Sequence, residues 1–168
     1  MTSEIVIHTE RLVLRHARDD DLAMVYAIMS DPEVLRYWST LPHESLGQTR
    51  EWLNCMIARN ASGNPDFLIE HNGQIIGKMG AYAMPEFGFY LAKAAQRQGF
   101  ATEAMDAFIA HIFDGISDYL TADVDPRNHR SLTLLQRFGF VETGRVARTW
   151  EVGGEWCDSV YLRLDKTH

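Results

Sequence analysis

The sequence predicts a mixed α/β fold, a sheet flanked by helices, in one domain covering residues 1–168. Three observations carry that expectation. Apolar residues recur at period two in some segments and at three-to-four spacing in others, and the two kinds alternate along the chain. Two turn signals, Asn72-Gly73 and Gly153-Gly154, each lie between strand-like runs and predict hairpins. The length is that of a single compact domain, and no linker, repeat or low-complexity segment divides it.

The elements follow in order. Glu10 to Arg15 places Leu12 and Leu14 on one face of a strand. Asp19 to Asp21 open a helix whose stripe is Leu22, Val25 and Met29, and Asp31-Pro32 ends it. Ser45 and Gln48 have capping-box spacing, and Trp52, Leu53, Met56 and Ile57 line the helix that follows. Phe67 to Ile69 and Gln74 to Met84 flank the first hairpin turn, and Glu86 to Leu91 is a further strand. Thr102 to Ile112 is an amphipathic helix with Met105, Phe108, Ile109 and Ile112 inward. Tyr119 to Val124 is a strand, and Ser131 to Phe138 a helix with Leu134, Leu135 and Phe138 on its apolar side. Arg145 to Val152 and Glu155 to Leu164 form the closing hairpin.

Composition narrows the classes of function. With 46% hydrophobic residues the chain can build a core without disulfides. No apolar stretch approaches the ~20 residues that span a bilayer, so no membrane partner is expected. Met1 to Ile7 carries Glu4 and lacks a basic region followed by an apolar run, so it does not read as a secretory signal. Cys55 and Cys157 are far apart and in no ligand spacing, which fits two reduced thiols in a cytoplasmic protein. The seven histidines show no metal spacing, and no metal is implied. A net charge of −7 argues against nucleic-acid binding, which relies on phosphate neutralisation. The same charge suits a cationic substrate, or simply an acidic solvated surface. Nothing specifies an oligomer.

Chemistry concentrates in the second half. The strand Glu86 to Leu91 runs through Ala92 to Ala95 into Gln96-Arg97-Gln98-Gly99-Phe100-Ala101, and a helix begins at once. A glycine-containing loop at a helix start exposes unpaired N–H groups and the positive end of the helix dipole, a ready site for phosphate oxygens. Gly99 allows close backbone approach, and Ala101 nearly so. A plain strand-to-helix turn accounts for the same residues. The segment Gly73 to Gly77-Lys78 is one residue short of a P-loop and sits in a hairpin.

Four segments in this order resemble the GNAT acetyltransferases, and within them the ribosomal-protein N-terminal acetyltransferase (RimJ/RimL-like) branch. They are Thr9-Glu10-Arg11-Leu12-Val13-Leu14-Arg15, Gln96-x-x-Gly99-x-Ala101, Asn128-x-x-Ser131 with Phe138-Gly139-Phe140, and Gly154-x-Trp156-x-Asp158. The resemblance implies a mixed, mostly antiparallel sheet that splays beside the Glu86–Leu91 strand, with the pantetheine arm of acetyl-CoA in the gap. It implies a transferase that moves an acetyl group onto a primary amine, a protein N-terminus or a small amine.

Site roles come from the same resemblance. Backbone groups of Leu91 and Ala92 would pair with pantetheine. N–H groups from Gln96 through Arg97, Gln98, Gly99, Phe100 and Ala101 to Thr102 would hold the pyrophosphate, with Arg97 adding charge. Asn128 would reach the pantetheine arm while also suiting a helix N-cap, and Ser131 would lie near the sulfur. Glu86 stands where many members carry a general-base glutamate. Some members of the branch instead use a glutamate in the final segment; here Trp150 stands there, with Glu151 beside it on the opposite strand face. Trp38, after Tyr37, and Trp150 and Trp156 would face each other across the acceptor cleft. A non-catalytic acyl-CoA-binding module is the alternative, but Gln96, Gly99, Asn128 and Ser131 are the groups such a module tends to lose.

Overall fold

The structure, a computed structural model, describes residues 3–167. Its strands are β1 (Val6–His8), β2 (Val13–Arg15), β3 (Asp66–His71), β4 (Gln74–Ala83), β5 (Glu86–Leu91), β6 (Tyr119–Val124), β7 (Val141–Val152) and β8 (Glu155–Asp165). The helices are α1 (Leu22–Met29), α2 (Leu46–Ala61), α3 (Phe100–Phe113) and α4 (His129–Arg137). The eight strands form one sheet in the order β1-β2-β3-β4-β5-β6-β8-β7. Every neighbouring pair is antiparallel except β5 and β6, which are parallel and share one residue pair, Glu86 opposite Thr121.

Local chemistry explains most boundaries. Asn72 and Gly73 take φ of +50° and +76°, the left-handed turn whose twist matches a tight hairpin. Ser45 Oγ accepts the Gln48 N–H at 3.2 Å and caps α2. Gln48 Oε1 reaches the Glu44 N–H at 2.9 Å rather than that of Ser45, so the reciprocal half of the box is displaced by one residue. α4 begins at His129, earlier than expected, because Asn128 caps it directly by accepting the Ser131 N–H at 3.3 Å.

Three further features depart from the sequence reading. β1 is an added edge strand on β2. β7 starts at Val141 rather than Arg145; most of its residues are exposed, so no in-and-out alternation marks its start. Asp19–Asp21 form a 3₁₀ turn ahead of α1 instead of its first turn. Asp21 is buried there and binds Arg15 through both oxygens, at 2.9 and 2.8 Å, while Arg15 Nε reaches Glu70 at 2.6 Å. That ion pair ties β2 and β3 to the segment leading into α1.

Two apolar layers cover the sheet. On one face, Phe67, Met79, Phe87 and Leu120 pack with Met105, Phe108 and Ile112 of α3 and Leu135 of α4. On the other, Leu68, Ile75 and Tyr90 pack with Val25 and Met29 of α1 and Leu53 and Met56 of α2. At about 25 cal/mol per Å² of apolar surface removed from water, these layers are the main source of stability. Among the described residues no helix is long and apolar enough to cross a membrane.

His16 and His111 bracket Phe67, each ring 5.6 Å from it, and the Nε2 atom of each is buried without a hydrogen-bond partner. Desolvation is the main cause that lowers both pKa values below the ordinary histidine value. Below about pH 6.5 the unfolded chain therefore binds protons that the folded chain refuses, and stability falls as pH drops toward the lowered values. Urea titrations from pH 7 to pH 5 are expected to show that loss. His43, lowered by burial in the same way, adds to the loss, so replacing both His16 and His111 by phenylalanine is expected to reduce it, and an unchanged pH slope would contradict this reading.

Candidate active site

The site begins at the parting of β5 and β6. The Thr121 N–H donates to Pro85 C=O at 2.9 Å where the strands meet, and beyond Glu86 they share no further pair. β5 instead stays with β4: the Ala92 N–H donates to Ile76 C=O at 2.7 Å. Backbone groups alternate along an antiparallel strand, so those of Leu91 turn away from β4 and toward the opening. Leu91 C=O accepts from Gln96 Nε2 at 3.1 Å on that side. Ala92 C=O is taken by the Ala95 N–H at 2.9 Å, so of the expected pair Leu91 alone faces the gap.

At one end of the gap lies an amide cradle. The Gln96 N–H is used by Lys93 C=O at 3.2 Å, and the next loop or helix amide with a backbone acceptor is Glu103, on Gly99 C=O at 3.1 Å. Among the described residues the amides of Arg97, Gln98, Gly99, Phe100, Ala101 and Thr102 between them have none. Arg97 and Gly99 both take positive φ, +62° and +80°, which curls the loop so that its amides lead into the N-terminus of α3. Gln96 therefore contributes its side chain, which joins Leu91 to Arg130: Arg130 Nη1 donates to Gln96 Oε1 at 2.5 Å.

Arg130 and Arg11 were not singled out from the sequence. Arg130 is a cation in the first turn of α4 beside the cradle, a signal present in Asn128-His129-Arg130. Arg11 donates to Gln98 C=O at 2.9 Å and to Glu103 at 2.7 Å, and lies over Phe100 at 4.5 Å. The opening-strand motif thus holds the loop in shape. Asn128 and Ser131 stand across the gap at the start of α4, both half-buried.

At the other end is a cleft of about 650 Å³ lined by Trp38, Gly88, Glu86, Asp123, Trp150 and the loop after α1, among others. Side chains along β5 alternate faces, so Glu86, Gly88 and Tyr90 share one. Trp38 lies against Gly88: a Cβ there would stand 2.9 Å from its Cη2. Its ring also meets Tyr90 edge-on at 5.1 Å. Across the split, Trp150 Nε1 donates to Asp123 Oδ2 at 2.9 Å. Trp156 and Glu151 do not line the cleft; Trp156 is exposed and stacks with Arg148 at 5.1 Å. Desolvation first, and the negative charge of Asp123 second, raise the pKa of Glu86 above the ordinary carboxylate value. A carboxylate so placed is a better proton acceptor than a free one.

Sheet, cradle and cleft together define an acyl-CoA acetyltransferase architecture, and residues 11–141 match the family described as the acetyltransferase (GNAT) domain. The chain belongs to the GNAT acetyltransferases. It is 26% identical over 166 residues to the uncharacterized N-acetyltransferase p20 of Bacillus licheniformis, covering 93% of each chain. Identity to the spermidine N(1)-acetyltransferase of Vibrio cholerae serotype O1 is 24%, over 88% of this chain and 89% of that one. Its fold is also that of RimL, a ribosomal L7/L12 α-N-protein acetyltransferase solved in complex with coenzyme A. That likeness has a TM-score of 0.86 at 18% identity and covers 96% of this chain and 98% of the other.

The cradle depends on Gly99, whose φ of +80° suits no β-branched residue and whose Cβ position points at Arg11, 3.3 Å from Nη2. Gly99→Val is expected to weaken coenzyme A binding tenfold or more, about 1.4 kcal/mol, in calorimetry on protein whose circular dichroism is unchanged. Unaltered affinity would remove the cradle from the site.

Proposed function

We propose that this acetyltransferase moves the acetyl group of acetyl-CoA onto the α-amine of a protein or peptide N-terminus, by direct attack in a ternary complex. The observation that carries the proposal is the open β5–β6 gap, with Leu91 facing it, the amide cradle at one end and Glu86 in the cleft at the other. In this reading the pantetheine arm lies in the gap against Leu91. The cradle from Arg97 to Thr102 holds the pyrophosphate, Arg97 and Arg130 add charge, and the free amide hydrogens of Asn128 meet the arm. The motif resemblance supports placing the chain in the RimJ/RimL-like branch.

Glu86 is assigned as general base and takes one proton from the bound ammonium. The freed nitrogen lone pair then forms the bond to the acetyl carbonyl carbon, the carbon–sulfur bond breaks, and the second proton leaving the nitrogen passes to the departing thiolate, with Ser131 as relay. The Leu91 N–H is placed to stabilise the developing oxyanion. Trp38 and Trp150 hold the acceptor's apolar part. Proton energetics favour an α-amine: its pKa is about 7.7–8.0, against about 10.4 for lysine, so far more of it is free base near neutral pH.

A second reading, a small polyamine acceptor, is favoured by the carboxylates in the cleft and by the Vibrio cholerae relative that acts on spermidine. A thiol-release assay with acetyl-CoA against free-N-terminus peptides, N-blocked lysine peptides, polyamines and amino-sugars separates the two. Faster acetylation of free N-termini than of N-blocked lysine peptides is expected. Preference for polyamines over every peptide would overturn the acceptor, and binding without release on any amine would overturn catalysis.

The base assignment has its own test. Glu86 acts only when deprotonated, so the parent rate is expected to rise with pH through its raised pKa. Glu86→Gln loses that limb, and its deficit is expected to be about 10²-fold near pH 7 and smaller at pH 9, where bulk ionisation supplies free amine. Parallel parent and variant profiles would exclude Glu86 as base.

A further inference from the structure

Asp123 is not used by the mechanism above, and its surroundings single it out. It sits on β6 two residues beyond Thr121, the residue opposite Glu86. Strand alternation therefore puts Glu86, Thr121 and Asp123 on one face of the sheet, the face on which Trp38 covers Gly88. Asp123 and Glu86 both line the cleft, one on each side of the split.

The charge pattern of the cleft sets these two carboxylates, which face each other across the split, apart from its ion-paired ones. Asp66 is paired with Lys78 and lies 3.4 Å from Arg59. Asp125 and Glu155 are both held by Arg127, each at 2.7 Å. Asp158 also lies outside the ion pairs and, among the described residues, accepts only the backbone N–H of Arg148, at 3.0 Å. Arg36, the other cation on the wall, lies over Tyr37 at 5.2 Å, and on β8 Arg163 is occupied by Asp165 at 2.6 Å. Among the described residues neither Glu86 nor Asp123 has a cationic partner. Among the described residues Asp123 has one neutral donor, the Trp150 indole on Oδ2, which orients the carboxylate and leaves Oδ1 without a donor.

Two like charges gathered in a partly desolvated cleft, with no cation paired to either, cost free energy, and a ligand that relieves the cost is a cation. We propose that Asp123 is the anchor of the acceptor's ammonium group: Oδ1 receives the charged amine beside Glu86, with Trp150 as the positioning residue that aims the carboxylate. The inference deepens the amine-acetylation reading and rests on it. It divides the labour between the two carboxylates. Asp123 binds the ammonium, whereas Glu86 carries off the proton. Trp150, standing where a glutamate was expected from the resemblance, then serves the site through Asp123 instead of as a base.

Asp123→Asn keeps an oxygen that can accept the Trp150 N–H and removes only the charge. The probes are n-butylammonium and its uncharged counterpart n-butanol, titrated against the protein with binding followed by NMR. The parent is expected to bind the ammonium more tightly than the alcohol. Asp123→Asn is expected to weaken the ammonium about tenfold and leave the alcohol within twofold. Trp150→Phe, which keeps the ring and loses the donor, is expected to weaken it several-fold. In turnover, Asp123→Asn is expected to raise the KM of the best acceptor of the amine panel about tenfold, with the KM of acetyl-CoA unchanged. The acidic limb of kcat/KM is expected to move to lower pH, because removing the like charge makes Glu86 easier to ionise. Equal binding of both probes by the parent, or an ammonium affinity that Asp123→Asn does not change, would overturn the anchor. Charge-dependent binding without thiol release on any amine would leave the anchor standing and sink the acetylation reading instead.

Discussion

Strands β5 and β6 meet at Glu86 and Thr121 and then part, each held by a different neighbour. β4 keeps β5 as far as Ala92, and β8 keeps β6 along its whole length from Tyr119 to Val124. An opening inside a sheet leaves backbone donors and acceptors without strand partners, a cost of about 1–3 kcal/mol for each group shut away from water. The gap persists because the apolar layer behind it is continuous: Phe87 packs on Phe108 at 5.2 Å and on Phe140 at 5.7 Å. The sheet is thus opened on its hydrogen-bonding edge and sealed through its side chains.

The rest of the site is arranged around that gap. The loop from Gln96 can present its amides only because β5 ends where it does, and α3 starts at its positive pole. Arg11, just ahead of β2 and so three strands over in the sheet from β5, then braces the loop together with Glu103 of α3. At the other end, Gly88 is bare so that Trp38 can lie against the strand. Both ends of the gap therefore depend on glycines, positions that a side chain would obstruct.

Charge is distributed with the same economy. Asp66, Asp125 and Glu155 of the cleft walls are matched to Lys78, Arg59 and Arg127, and such pairs hold geometry more than they add stability. Arg127 also lies over Tyr37 at 5.6 Å, which links the loop after α1 to the closing hairpin. Among the described residues Glu86 and Asp123, facing each other across the split, are left without such a partner.

The hairpin turns, the strands Glu86–Leu91 and Tyr119–Val124, the capping residues Ser45 and Asn128 and the glycine loop were legible in the sequence, because each is decided by neighbours within a few residues. The mixed α/β character followed from the alternation of periods, and the GNAT family from four short motifs in order. Local pattern could not mark β1, which gains its identity only by pairing with β2, or the start of β7, which buries neither face. Nor could it show that Asp21 would turn inward to Arg15, a residue six positions earlier across a bend. Asp123 read only as the polar half of an alternating strand, and Trp150 as an aromatic near a turn. Their hydrogen bond spans 27 positions of sequence. The sequence by itself determined where the chain turns, which faces are apolar and which loop exposes free amides, since those are short-range properties of backbone and side chain. Only the tertiary structure decided which carboxylates found a cation and which did not, because that depends on groups brought together from β3, β4, β6 and β8 by the packing of the sheet.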